Sequence, residues 1–125
     1  MNTDMVVLGS LAQVALDQPM PKPTATAGDP MEALRQIWAA SDGSLECGVW
    51  ECTPGTFSAR RDGYDELCLI LSGTVKVTQA SGESAMLGPG DLLVTPAGWV
   101  GEWEVVETVR KVFVIRTASD RGDYS

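Results

Sequence analysis

The sequence predicts an all-β fold, an antiparallel sandwich or barrel, from Leu45 onwards. Eight short runs that suit strands follow one another there, separated by turn sequences such as Pro54-Gly55 and Ser81-Gly82. No segment of this region keeps a helical period. The 13 glycines and 7 prolines in 125 residues agree with a chain of many turns.

The N-terminal part is predicted as an arm followed by a short helix. Residues 1–28 contain the apolar run Val6 to Leu8 and then a proline-rich stretch, which favours an extended arm. Residues 29–42 are predicted to form a short helix and linker, because Asp29 suits a helix cap and Pro30 the first helical position. The apolar residues of this segment also recur at helical spacing: Met31, Leu34, Ile37 and Trp38.

The predicted barrel occupies residues 43–118, and the polar residues 119–125 are predicted to be a flexible tail. A chain of this length supplies one domain with its own core, since domains cluster near roughly 100–150 residues. A second domain is therefore not expected.

The charge of the chain argues against two classes of partner. Seventeen acidic and nine basic residues give a net charge of −8, which repels the nucleic-acid backbone and anionic membranes. The apolar runs fall far short of the roughly 20 residues that a membrane span needs. We expect neither nucleic acid nor membrane as a partner.

The N-terminus and the cysteines predict a cytoplasmic protein. Asp4 stands where a secretory signal would carry positive charge. The cysteines Cys47, Cys52 and Cys68 are odd in number, and intracellular thiols are normally reduced. A disulfide framework is not expected.

Two segments, PGTFSARRDGYDELCLILSG and GPGDLLVTPAGWVGEW, resemble the two motifs of the cupin superfamily, G-x5-H-x-H-x3,4-E-x6-G and G-x5-P-x-G-x2-H-x3-N. Glu66 and Gly73 have the spacing of the first motif, and Gly90, Pro96 and Gly98 that of the second. The glycines also suit the sharp turns that a barrel needs. The resemblance, over about residues 45–116, implies a jelly-roll barrel, the antiparallel double-stranded β-helix.

The later string EWEVVETVRKVFVI narrows the resemblance to a histidine-poor branch related to the ethanolamine-utilisation and ureidoglycine-aminohydrolase cupins. That branch commonly has a Trp followed by an Arg-Lys pair, which Trp103, Arg110 and Lys111 match. The branch is associated with nitrogen-compound metabolism. Fold resemblance alone does not select a reaction.

The chain departs from metal-binding cupins, whose ligands are typically three histidines and one glutamate. It contains no histidine, and Arg61, Asp62, Gly63 and Gly101 stand near the histidine positions, so that only Glu66 remains. One carboxylate holds a transition metal poorly. We therefore predict no metal and no other cofactor.

The cysteines do not replace the missing histidines. Cys47 and Cys52 are an odd number of residues apart on one predicted strand, so they face opposite sides. Cys68 shares the face of Glu66 and is either a small buried hydrophobe or a reactive thiol in the pocket, although no histidine could act as its base.

The predicted pocket is bounded by inward-facing residues of both motifs. The predicted ligand-binding residues are Arg61, Glu66, Cys68, Trp103 and Lys111. Glu66 is the candidate catalytic residue, because its motif position faces the barrel interior; a structural ion pair is the alternative. Lys111 is predicted to pair with Glu66 from a facing strand or to anchor an anion, unless it is a solvated strand residue.

The tryptophans Trp50, Trp99 and Trp103 could line the pocket mouth or pack in the core or in a dimer interface. Arg61 either sits in a charged turn or lies where a ligand would be held.

These residues predict a metal-independent domain that binds or senses a small polar metabolite. Two alternatives remain open: an isomerase, lyase or amidohydrolase-like enzyme that uses Glu66, and a structural subunit that works by assembly. We also expect a homodimer, because small barrels leave strand edges and the arm has an apolar segment.

Overall fold

The computed structural model describes residues 3–117 as an all-β fold in which the described residues form nine strands and no helix. The strands are β1 (Met20–Pro21), β2 (Ala25–Ala27), β3 (Met31–Ala39), β4 (Leu45–Cys52), β5 (Gly55–Arg60), β6 (Tyr64–Gln79), β7 (Ser84–Leu87), β8 (Leu92–Thr95) and β9 (Val100–Thr117). The predicted antiparallel barrel is confirmed. The predicted tail, 119–125, lies outside the described residues.

The predicted helix within residues 29–42 is wrong, because this segment forms β3. β3 pairs antiparallel with β4, from Glu32 opposite Cys52 to Ala39 opposite Glu46. A register shift between Gln36 and Trp38 interrupts the alternation of the strand, which brings Ile37 and Trp38 into the adjacent apolar positions that resembled a helical pattern. Pairing with the otherwise open edge of β4 overrides the local helical preference.

The longest strand, β9, organises the barrel. Its first half pairs with β5 on one side and with the second half of β6 on the other. Its second half pairs with β4 and with the first half of β6. β7 and β8 then pair with the two halves of β6. This arrangement brings the inward residues of β4, β6 and β9 together.

Gly73 allows β6 to bend while its apolar side stays inside. Its φ of 84° lies in the left-handed region, and the register with β9 shifts on both sides of it. The buried positions before the bend are Glu66, Cys68 and Ile70, and those after it are Val75 and Val77. The bend therefore changes the inward positions from even to odd numbers.

The N-terminal arm is partly built into the sheet. β1 pairs with β3, and β2 pairs with β5, so strand pairing extends into the arm as far as Met20. Farther towards the N-terminus, Arg110 Nη1 donates hydrogen bonds of 2.9 Å to the carbonyls of Leu11 and Val14. The arm thus lies along the barrel of its own chain.

The core is a cluster of aromatic and aliphatic side chains inside the barrel, with Trp50, Phe57 and Trp103 as its largest members. Trp50 meets Trp103 edge to face at 5.8 Å between ring centroids, and Phe57 stacks on Trp103 at 5.9 Å. The described residues include no helix of the length and apolar character needed to cross a membrane.

Candidate functional site

Glu66 lies at the centre of a buried ionic cluster, and only 6% of its surface is exposed. Its Oε1 is 2.6 Å from Arg61 Nη2, and its Oε2 is 3.2 Å from Lys111 Nζ. The predicted Glu66–Lys111 pair is therefore confirmed. The prediction that the two residues lie on facing strands is wrong, because β6 and β9 are hydrogen-bonded neighbours on which Lys111 is opposite Ile70.

Arg61 is fixed at the junction after β5 by its backbone and its side chain. Its carbonyl accepts a 2.7 Å hydrogen bond from the Gly98 N–H, and its own N–H donates to the Trp99 carbonyl at 2.9 Å. The corner Pro96-Ala97-Gly98 thus positions Arg61, as Gly98 adopts a φ of 92°. Within the cluster, Arg61 Nε donates to Thr95 Oγ1 at 3.0 Å.

Asp65 secures the same corner from β6. Its Oδ1 accepts a 2.7 Å hydrogen bond from the Ala97 N–H, and Arg116 Nη2 lies 2.7 Å from its Oδ2. The hydrogen bond from Ala97, followed by that from Arg116, lowers the pKa of Asp65. The corner that holds Arg61 is therefore braced by a carboxylate that stays charged.

Lys111 sits against the aromatic core. Its Nζ lies 4.4 Å from the ring centroid of Trp50 and 4.3 Å from that of Trp103. Aromatic faces attract a desolvated ammonium group. The side chain is buried, so the alternative of a solvated strand lysine does not hold.

Cys68 is not one of the residues that line the cavity, in contrast to its prediction as a ligand-binding residue. It points inward as Glu66 does, but it is fully buried in the core behind the ionic cluster. Burial raises the pKa of its thiol, an effect that nearby Lys111 only partly opposes. The small buried hydrophobe is therefore the role that fits.

A cavity of about 400 Å³ opens above the cluster. Arg61, Glu66, Trp103 and Lys111, four of the five predicted binding residues, line its wall. Of the other tryptophans, Trp50 also lines this cavity. Trp99 lies at a separate one, with Arg61 5.6 Å from its ring centroid.

Lys22 and Glu32 are among the cavity residues that the sequence reasoning missed. Lys22 comes from the arm, with its Nζ 4.8 Å from the Phe57 ring centroid and 3.0 Å from Glu32 Oε1. Trp50 Nε1 also donates to Glu32 Oε1, at 2.9 Å. Glu32 could have been found by recognising β3 as a strand, but no local signal places Lys22 at the cavity.

The residues present do not fit the metal site of metal-binding cupins. The positions near the family's histidines hold Arg61, Asp62, Gly63 and Gly101, and both oxygens of Glu66 are already engaged by cationic groups. Within residues 3–117, no group of three or more Cys, Asp or Glu side chains is placed to hold an ion.

Comparison with known proteins finds a family model that matches more than half of the chain. The family model of the EutQ-like cupin domain matches residues 39–113. No curated protein gave a significant match.

Three solved structures illustrate the likeness. A protein assigned as ethanolamine utilization protein Q from Salmonella typhimurium LT2 is 26% identical, with a TM-score of 0.62 over 71% of this chain and 72% of that one. The Cnp3 cupin domain of Schizosaccharomyces pombe, at 19% identity, shares the fold with a TM-score of 0.70 over 91% and 76% of the two chains. A DUF861 family protein from Thermotoga maritima is 35% identical, with a TM-score of 0.50, over 52% of this chain and 73% of its own.

Proposed function

The chain belongs to the EutQ-like cupin domain family, and we propose that it is a metal-independent domain that binds or senses a small polar metabolite. The observation that carries the proposal is the buried Arg61–Glu66–Lys111 cluster at the wall of the 400 Å³ cavity. Ligand sites are typically clefts of about 300–1,000 Å³ with apolar walls and a few placed polar groups. This cavity has both features.

Independence from a metal is supported by the charges around Glu66. Two cationic side chains lie within 3.2 Å of its carboxylate, one on each oxygen. A divalent cation at this carboxylate would have to displace them or tolerate their repulsion. We propose that Arg61 and Lys111 neutralise the carboxylate of Glu66, as the metal ion does for the corresponding glutamate in metal-binding cupins.

Binding is better supported than catalysis. The enzymatic alternative would use Glu66 to transfer a proton, yet both of its oxygens are already engaged by the side chains of Arg61 and Lys111. A carboxylate held in this way suits the positioning of a ligand.

We place this binding function in the cytoplasm, where the three cysteines would stay reduced.

Native mass spectrometry of protein purified without added ligand tests the proposal. We expect a retained small molecule, released on denaturation, and a rise in Tm when that compound is added back, because a ligand that binds only the folded state stabilises it. Absence of any retained compound, together with no Tm response across a metabolite library, would contradict it. Turnover of the compound that Glu66→Gln abolishes would instead establish the enzyme.

A further inference from the structure

The buried cluster carries an excess of positive charge. Arg61, Glu66 and Lys111 are 7%, 6% and 5% exposed, and the single carboxylate is shared by two cationic groups. The other charged residues at the cavity do not supply the missing anion. Lys22 is paired with Glu32 and Arg60 with Asp62, and Glu46 forms no ion pair with the cluster among the described residues.

The excess positive charge of the cluster is least compensated at Lys111. An ammonium group has three donors, and Lys111 Nζ donates to Glu66 Oε2 at 3.2 Å, with the thiol of Cys68 nearby. Otherwise it faces the rings of Trp50 and Trp103. Aromatic faces attract a cation but do not neutralise its charge.

Trp103, another residue that lines the cavity, has a buried donor without an acceptor in the described part of the chain. Its side chain is 1% exposed, and its Nε1 has no hydrogen-bond partner among the described residues. A buried donor without an acceptor costs about 1–3 kcal/mol. Among described buried side-chain polar atoms, it alone lacks a partner.

We infer that the cavity binds a small monoanion, a carboxylate with an apolar or aromatic remainder. This inference rests on the proposed binding function and specifies its ligand. One negative charge matches the one excess positive charge, and a carboxylate oxygen is an acceptor for the ammonium group of Lys111. The remainder would contact Trp50, Phe57 and Ile115, which also line the cavity.

The buried cationic groups attract an anion only at short range. The whole chain carries a net charge of −8, which repels anions at long range. Among the residues that line the cavity, four are cationic and three anionic. Binding of an anion therefore depends on the buried groups, and substitution of one of them should remove it.

Three aromatic probes of similar size and different charge test the inference: benzoate, benzamide and benzylammonium. Binding is measured on the full chain from the indole N–H signals of the tryptophans in two-dimensional NMR. We expect benzoate to shift Trp50 and Trp103 and to bind at least about tenfold more tightly than the other two probes. Trp38, which is not among the cavity-lining residues, serves as an internal reference.

A matched pair of variants tests whether the positive charge of Lys111 is the one that binds benzoate. Lys111→Met should weaken benzoate binding by about tenfold or more, whereas Lys76→Met, which removes the same charge at an exposed position of β6, should leave it unchanged. Lys111→Arg keeps the positive charge and should retain benzoate binding. This variant provides a test of the charge if Lys111→Met does not fold.

Preference for benzamide or benzylammonium would overturn the inference and leave a binding pocket of another specificity. Equal loss of benzoate binding in Lys76→Met and Lys111→Met would also overturn it. Failure of all three probes would reject the monoanion, while the proposed function would still be judged by its own test with retained metabolites.

Discussion

Glu66 receives ion pairs from both Arg61 and Lys111, so its removal affects more than one interaction. Glu66→Gln would leave two cations buried without a carboxylate, and we expect the free energy of unfolding to fall by about 3–5 kcal/mol. Lys111→Met should cost less, because Arg61 still pairs with Glu66. Urea denaturation of each variant measures these values.

The double variant Glu66→Gln with Lys111→Met should be less destabilised than the sum of the two single changes, with a coupling of about 1–3 kcal/mol. Asp62→Asn serves as a control, because Asp62 forms an exposed pair with Arg60 that should contribute less than about 1 kcal/mol. Additive effects of the two cluster substitutions would contradict the coupled arrangement.

The three thiols differ in burial, and their reactivity should follow it. Cys52 and Cys68 are fully buried, and Cys47 is half-buried. Burial is the main cause that raises the pKa of Cys52 to about 11, and it raises that of Cys68 as well. At pH 8 we expect a thiol reagent to modify Cys47 first, and the other two only after denaturation. Modification of Cys68 in the folded protein at the rate of Cys47 would contradict this.

The same burial predicts a pH dependence of stability. The folded state keeps the Cys52 thiol protonated above pH 9.0, its ordinary pKa, whereas the unfolded chain loses the proton there. This contribution to stability is thus present below pH 9 and is lost as the pH rises to about 11. Cys52→Ala should reduce the fall in free energy of unfolding across that range, and an unchanged fall would contradict the assignment.

At the scale of the strands, the bend in β6 depends on Gly73. Its φ of 84° is unfavourable for other residues, and a β-carbon there would collide with the backbone carbonyl of Thr108. Gly73→Ala should lower the free energy of unfolding by more than about 2 kcal/mol. Gly82→Ala is the matched control, since Gly82 also has a positive φ but open space around it. Similar losses in both variants, measured by urea denaturation, would show that the close approach to β9 is unimportant.

At the scale of the whole molecule, one outer face of the sheet remains apolar and exposed. Leu69 lies opposite Leu92, and Leu67 opposite Val94, so that β6 and β8 present apolar pairs in register. On the other side of β6, Val112 and Val114 continue the two rows on β9. Extended apolar patches on a soluble surface mark interaction sites.

We propose that this face joins two copies of the chain, because rows of apolar side chains can pack against themselves about a twofold axis. Light scattering should give about twice the chain mass of 13.3 kDa. Leu92→Glu should yield the monomer, whereas Met86→Glu should not, although Leu92 and Met86 are similarly exposed at 63% and 60%. The proposal would be rejected if the unsubstituted protein had the mass of a monomer, or if both substitutions changed the mass equally.

Much of the fold follows from local spacing. The two motif segments and the turns between the strands could be located in the sequence, because turns depend on neighbouring residues. The positions that marked them are Glu66, Gly73, Gly90, Pro96 and Gly98. The resemblance to the cupin motifs placed Glu66 inward and singled out Lys111, which made their ion pair predictable. The depth of Cys68 was not predictable in this way, since facing inward does not distinguish a cavity wall from the core behind it.

The sequence by itself determined the all-β class, the motif frame and the identity of the central carboxylate. The tertiary structure decided that residues 31–39 form a strand, that Lys22 of the arm reaches the cavity and that both Arg61 and Lys111 share Glu66. These features depend on which segments meet across long stretches of chain. The free energy of pairing an open strand edge and of neutralising a buried charge depends on those distant partners, and no local pattern of residues encodes it.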